Sequence, residues 1–180
     1  IVQGHPFTDG NGRTGRYFAY QHTDILPDVV TTAKGLGNGI PIGACLARGT
    51  AATVFGPGNH GSTFGGNPLV CAAALGVLDA LEQDGLIARA EMLGSRILSG
   101  LRHHLAGNNR VRDIRGLGLM IGIELADPCG ELVTQGLADG ILINVTRDNV
   151  VRLLPPLTLT DAEADAIVER VAALVNGDRG

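Results

Sequence analysis

Lys34 is the single lysine of this 180-residue chain; the other thirteen of its 14 basic residues are arginines. It stands in Thr31-Thr32-Ala33-Lys34-Gly35-Leu36-Gly37-Asn38-Gly39. Lysine can do what arginine cannot. Its amine gives up a proton when desolvated and then attacks a carbonyl carbon to form a Schiff base. The glycine-rich backbone beside it leaves room for a bulky ligand. An arginine-rich composition leaves few lysines anywhere, so chance is the competing explanation.

A second segment has the chemistry to hold an anion. Asn59-His60-Gly61-Ser62-Thr63-Phe64-Gly65-Gly66-Asn67-Pro68 is a glycine-rich loop running into a helix start. The hydroxyls of Ser62 and Thr63, with backbone N–H groups at that terminus, suit a phosphate. A plain turn followed by an N-cap accounts for the same residues equally well.

The elements that must carry these residues follow from patterning. Residues 1–16 read as a polar, glycine-rich loop. Pro27-Asp28-Val29-Val30-Thr31-Thr32 is predicted as a short buried strand ending at the lysine, and residues 42–47 as a second apolar strand. Asn67 caps a helix over 68–83 with Pro68 at its first position. Leu69, Ala72, Ala73, Val77, Leu78 and Leu81 make it apolar on most sides, which predicts burial, and Gly85 stops it. A helix over 86–106 sets Leu86, Ala90, Leu93, Ile97, Leu101 and Leu105 on one stripe. Strands are predicted at 119–125, 141–145 and 150–154, with a short helix at 131–139. Thr160 and Glu163 form a capping box for a last helix over 161–175, with Ile167, Val168, Val171 and Leu174 inward. The order is that of an α/β protein. A boundary near 100–110 separates residues 1–106 from a small α/β domain over 107–180.

Composition narrows the function classes. Apolar residues make up 44% of the chain, aromatics 3%, and there is no Trp, so the core is aliphatic. A net charge of −4 argues against a nucleic-acid or anionic-membrane surface. No apolar run has the length of a membrane span, and no signal peptide opens the chain. Cys45, Cys71 and Cys129 are far apart, odd in number and without metal spacing; they read as buried small residues of a reducing cytoplasm. His22 and His60 lack partners in metal spacing, and His103-His104 reads as a solvated helix face, so no metal site is expected. Ile1 is not a natural start, so a truncation or an artificial boundary is expected at the N-terminus.

Several ordered motifs together resemble one family. Asp28 through Ala44 is similar to the cofactor-lysine segment of class III aminotransferases, with the acetylornithine aminotransferase branch nearest. Gly12-Arg13-Thr14-Gly15-Arg16-Tyr17-Phe18-Ala19-Tyr20-Gln21-His22 resembles the stretch before that segment. Gly61 through Pro68 resembles the one after it. Arg115-Gly116-Leu117-Gly118-Leu119-Met120 and Val151-Arg152-Leu153-Leu154-Pro155-Pro156-Leu157 resemble the family's small domain. The resemblance runs from about residue 10 to 176 and implies a partial fold type I architecture: the later part of a cofactor-binding domain over 1–106, then the small domain. It implies that Lys34 bonds pyridoxal 5′-phosphate and later moves protons at the substrate α-carbon. It implies that Thr63, beside Ser62, binds the cofactor phosphate, usually that of the neighbouring subunit in a homodimer. It implies that Arg152 clamps the substrate α-carboxylate with its bidentate fork, and that Arg115 is structural. The implied reaction moves an amino group from an amino acid to a 2-oxo acid, 2-oxoglutarate in this branch, within arginine biosynthesis in the cytoplasm.

The first residues depart from that family. It carries Asp-Glu-Val-Gln ahead of Thr-Gly-x-Gly-Arg-Thr-Gly, and the Asp keeps the cofactor ring protonated. Counting back from Gly10, His5 stands in the place of the Asp and Thr8 in the place of the Gln. A second alignment sets Val2-Gln3-Gly4 on the family segment, with the Asp before Ile1. His5-Pro6-Phe7-Thr8-Asp9-Gly10-Asn11-Gly12-Arg13-Thr14-Gly15-Arg16 also resembles the active-site motif of Fic domains, which transfer AMP from a nucleotide to a protein hydroxyl. That resemblance implies His5 as general base, Asp9 as ligand of Mg2+, and Asn11, Arg13 and Arg16 on the phosphates of ATP. A Fic loop joins two long helices, whereas a strand and a lysine loop are predicted here.

The leading expectation is therefore a truncated pyridoxal-phosphate aminotransferase of reduced activity. The alternatives are Fic-type nucleotidyl transfer through His5 and a non-catalytic dimerisation fragment associating through residues 40–85. Strands 29–32 and 42–47 are expected to expose edges and apolar faces, with the small domain better ordered than what precedes it.

Overall fold

The computed structural model of the chain describes residues 11–177. It divides into two compact units, the first ending at Ile87 and the second beginning at Ala88.

In the first unit, β1 (Val29–Thr32) and β2 (Ala44–Ala47) pair antiparallel, with Val29 opposite Ala47 and Thr32 opposite Ala44. Consecutive β-branched residues suit β1 to a pleated ribbon. Arg48 closes its open end: its N–H donates to the Asp28 carbonyl at 2.9 Å, and its guanidinium lies 3.5 Å from the Asp28 carboxylate. With two strands only, each has an open edge. The predicted burial of β1 holds only at Thr32, and all of β2 is exposed.

α1 (Pro68–Gln83) starts where capping predicts. Asn67 Oδ1 accepts from the N–H groups of Leu69 and Val70 at 3.1 and 3.2 Å. Pro68 takes the first position, where a missing N–H costs nothing. Its burial is a correction: only Ala74 and Leu81 are buried, while Leu69 is 71% exposed. A helix apolar all round needs partners all round. Within the first unit α1 packs on the turn that follows β1, and much of its surface stays open. Leu46, Val54, Phe55 and Phe64 add exposed apolar side chains to the same unit.

The second unit is a sheet of order β3-β4-β6-β5, antiparallel throughout, with helices packed on its apolar face. Its strands are β3 (Val111–Leu117), β4 (Met120–Leu125), β5 (Asn144–Thr146) and β6 (Val150–Leu153). Its helices are α2 (Leu86–His104), which begins at the boundary, α3 (Glu131–Ala138) and α4 (Asp161–Asn176). Alternation decides the sheet faces. Ile121, Ile123 and Leu125 of β4 and Val151 and Leu153 of β6 point to the core, joined by Leu93, Ile97 and Leu101 of α2 and Val168, Val171 and Val175 of α4. Ile167 packs at the edge of that core, half-buried. The Thr160 cap forms as predicted: the Thr160 N–H donates to Glu163 Oε2 at 2.8 Å, and the Glu163 N–H to Thr160 Oγ1 at 3.3 Å.

Three expectations change here. The division falls at 87/88 rather than near 107, because the α2 stripe is core of the second unit. β3 is an added strand, obscured in sequence by charged residues and by a register shift between Val111 and Asp113. Among the cysteines only Cys129 is buried; Cys71 is intermediate and Cys45 exposed. Burial and the nearby Glu131 carboxylate push the Cys129 thiol pKa up, against a smaller lowering by Arg110.

Candidate active site

Lys34 opens a single 3-10 turn, Lys34–Gly37, one residue after β1 ends. Its backbone is left-handed, with φ 51°. A non-glycine residue pays on the order of 1 kcal/mol for that conformation and keeps it only where surrounding contacts impose it. The Ala33 carbonyl accepts from the Leu36 N–H at 3.0 Å, closing the turn. Asn38, left-handed at φ 45°, ends it through its N–H to the Gly35 carbonyl at 3.2 Å. Leu36 and Gly37 face inward and are buried. A Cβ on Gly37 would come within 2.8 Å of Ile42 Cγ2, so glycine lets the turn fold onto the chain leading to β2. Lys34 itself is exposed.

Beneath the turn lies Asn11. It is 8% exposed and Thr32 6%. The Thr32 hydroxyl donates to Asn11 Oδ1 at 2.7 Å, and Asn11 Nδ2 donates to the Ala33 carbonyl at 3.2 Å. Next to it Gly12, at φ 87°, packs on α1 and the chain after it: a Cβ there would lie 3.0 Å from Ile87 Cγ1 and 3.2 Å from Leu81 Cδ2. Further along, His22 Nε2 lies 2.9 Å from the Thr14 carbonyl and donates to it, tying down the strand approach.

Ser62 and Thr63 share the first unit with Lys34, on the exposed loop before α1. Asn67 Nδ2 donates to the Phe64 carbonyl at 2.9 Å, so the cap also shapes the loop. Gly65 is needed there, since its Cβ would sit 2.9 Å from Ser62 Cβ.

Arg152 belongs to the second unit, exposed on β6 opposite Gly122 on one side and Asn144 on the other. Arg115 sits beyond Gly122 in the same row. It binds two carboxylates, Asp113 at 2.8 Å and Glu124 at 2.7 Å, which push its own pKa up. Arg115 is thus already neutralised, while Arg152 has no ion pair among the described residues.

The Fic reading meets a different structure. His5 and Asp9 lie outside the described residues. Asn11 is buried and turns both polar atoms of its amide onto Thr32 and Ala33. Arg13 is half-buried and Arg16 exposed. The residues between the motif and β1 form turns and one short 3-10 helix, Ala19–His22, where a Fic loop would continue into a long helix. Strand, then lysine turn, is the arrangement found.

Comparison with known proteins agrees with this geometry. Residues 8–175 match the family described as aminotransferase class-III. The chain is 57% identical over 166 residues to acetylornithine aminotransferase 1 of Bordetella bronchiseptica, covering 92% of this chain and 42% of that one. It is 54% identical to the acetylornithine aminotransferase of Nitrosomonas europaea over the same shares. Among solved structures, ornithine aminotransferase from Toxoplasma gondii superposes with a TM-score of 0.88 at 37% identity, over 96% of this chain and 42% of that chain. Acetylornithine aminotransferase from Elizabethkingia anophelis superposes at 0.87 and 33% identity, over 96% and 44%. The chain therefore spans less than half the length of these relatives, and its α/β architecture is a partial fold type I aminotransferase. With a matched segment that includes Lys34, Thr63 and Arg152, the chain belongs to the class-III aminotransferases.

Proposed function

We propose that this chain is the lysine-bearing part of a pyridoxal-phosphate-dependent aminotransferase of the acetylornithine/ornithine type. One observation carries the reading: the only lysine is exposed in a left-handed turn at a strand end, in a chain 57% identical to an acetylornithine aminotransferase. An exposed primary amine fits a cofactor that carries an aldehyde. The hydroxyls of Ser62 and Thr63 before a helix N-terminus fit its phosphate. When bound, the cofactor supplies an electron-withdrawing ring that makes the substrate α-proton acidic.

In this reading Lys34 Nζ holds the cofactor and carries the proton to and from the substrate α-carbon. Arg152 takes the α-carboxylate, which suits a guanidinium with no ion pair among the described residues. The substrates are an amino acid and a 2-oxo acid, 2-oxoglutarate in the branch this chain resembles, and the step belongs to arginine biosynthesis. A homodimer in the cytoplasm is part of the same proposal; no helix among the described residues is long and apolar enough to cross a membrane. In the direct alignment His5 stands in the place of the family's ring-pairing aspartate, and that alignment implies cofactor binding with slow amino-group transfer.

The test is direct. Pyridoxal phosphate added to the protein gives a yellow species that borohydride fixes on Lys34, located by peptide mass mapping. Absorbance equal to that of free cofactor, with Lys34→Ala indistinguishable from the parent, rejects the reading.

A further inference from the structure

We infer that Asn11 is a positioning residue for Lys34: its side-chain amide holds the peptide plane that sets the lysine backbone in its left-handed form. The Ala33 carbonyl belongs to the planar Ala33–Lys34 peptide group, so turning that carbonyl changes ψ of Ala33 and φ of Lys34 together. Asn11 Nδ2 donates to that carbonyl at 3.2 Å, and Asn11 Oδ1 accepts from the hydroxyl of Thr32 at 2.7 Å. One buried amide thus grips both residues that precede the lysine.

The amide orientation follows from the partners. A carbonyl oxygen only accepts, so Nδ2 must face Ala33, which leaves Oδ1 for the Thr32 hydroxyl. Asn11 is itself held from behind, since Gly12 lies tight on Leu81 and Ile87. The same Ala33 carbonyl accepts from the Leu36 N–H at 3.0 Å, so the clamp and the turn share an atom. Loss of Nδ2 frees the peptide plane to leave a conformation that a non-glycine residue does not favour. The asparagine that looked like a phosphate ligand in sequence is thereby the support of the lysine turn. The role in cofactor capture rests on the functional reading above; the clamp does not.

Four variants test it: Asn11→Asp, Asn11→Ala, Thr32→Ser and Thr32→Val. Two readouts are taken at a temperature where circular dichroism shows each variant folded: hydrogen exchange of the Leu36 amide, and borohydride-trapped pyridoxal phosphate at Lys34. Asn11→Asp keeps the size but has no donor for Ala33 when ionised. It is expected to speed Leu36 exchange and to lower Lys34 labelling, each roughly tenfold, the scale of one hydrogen bond. Asn11→Ala and Thr32→Val follow it, and Thr32→Ser, which keeps the hydroxyl, behaves as the parent. Leu36 exchange and Lys34 labelling unchanged in Asn11→Asp and Asn11→Ala overturn the inference. So does labelling that falls only in step with loss of folded protein. If the parent takes no cofactor at Lys34, the functional reading fails, and Leu36 exchange alone decides the clamp.

Discussion

The hydroxyl of Thr32 and the amide oxygen of Asn11 meet at 2.7 Å, joining residues 21 positions apart directly beneath the lysine turn. Both are buried, so neither has water to fall back on. Thr32→Val, close in shape, leaves Asn11 Oδ1 without its donor and is expected to cost about 1–3 kcal/mol. Thr32→Ser is expected to cost less than half of that. Urea denaturation followed by a probe in the first unit measures both; equal losses for the two variants would show that the hydroxyl is not what matters.

Gly94 in α2 faces the backbone of Gly118 in the β3–β4 turn, and a Cβ there would lie 2.6 Å from Gly118 Cα. Alanine is normally better than glycine inside a helix by about 1 kcal/mol. Here the overlap is with backbone, which cannot rotate away, and overpacking of this kind costs roughly 1–3 kcal/mol or more. The clash outweighs the helix gain, so Gly94→Ala is expected to destabilise the second unit. A raised melting temperature would contradict that balance.

Arg96 binds Asp165 through two bonds of 2.6 Å, fastening α2 to α4. The hydrogen bond from Arg96 holds the Asp165 carboxyl below its ordinary pKa. A depressed carboxylate adds stability that is full above the unfolded pKa, about 4, and is lost as pH falls through the lower folded value. Asp165→Asn is therefore expected to flatten the acid limb of stability against pH below about 4. Glu163, held low by the Thr160 N–H and hydroxyl, contributes in the same direction. Melting curves from pH 2 to 7 read the effect; an unchanged acid limb in Asp165→Asn counts against it.

Arg152→Lys keeps the charge and loses the fork. If Arg152 takes the substrate carboxylate, the apparent affinity for amino acid and 2-oxo acid should fall roughly tenfold to a hundredfold, the range of a charge-assisted hydrogen bond. Cofactor loading at Lys34 should stay as it was. Substrate titrations of the loaded protein, monitored by the cofactor band, separate the two effects, and unchanged affinities would remove Arg152 from the site.

Thr160→Ala removes the oxygen that accepts from the Glu163 N–H at the start of α4, and is expected to cost about 1 kcal/mol. Thr160→Ser should restore most of it. Thermal unfolding of the second unit compares them, and equal stability of Thr160→Ala and the parent would argue that water replaces the cap.

Much of the local structure was written in the chain. Asn67 with Pro68, and Thr160 with Glu163, fixed two helix starts through bonds to their nearest N–H groups. The stripe of Ala90, Leu93, Ile97 and Leu101 named the buried face of α2 because a helix repeats every 3.6 residues. The lone lysine, with glycines after it and a β-branched run before it, marked the place where β1 ends in a tight turn. These features depend on neighbours within a few positions, which sequence displays.

Tertiary structure decided what depends on distant partners. α1 reads as buried, yet Leu69 and Leu75 are exposed, because burial is a property of what packs on a helix. The family resemblance sets Arg115 apart from Arg152, but only the fold shows the two carboxylates, Asp113 and Glu124, that Arg115 binds. Asn11 reads in sequence only as a phosphate ligand of the Fic-like motif, since both of its partners lie more than twenty residues ahead. Only folding brought its amide under Ala33, where a donor facing a carbonyl sets the backbone of the lysine that the sequence had already singled out.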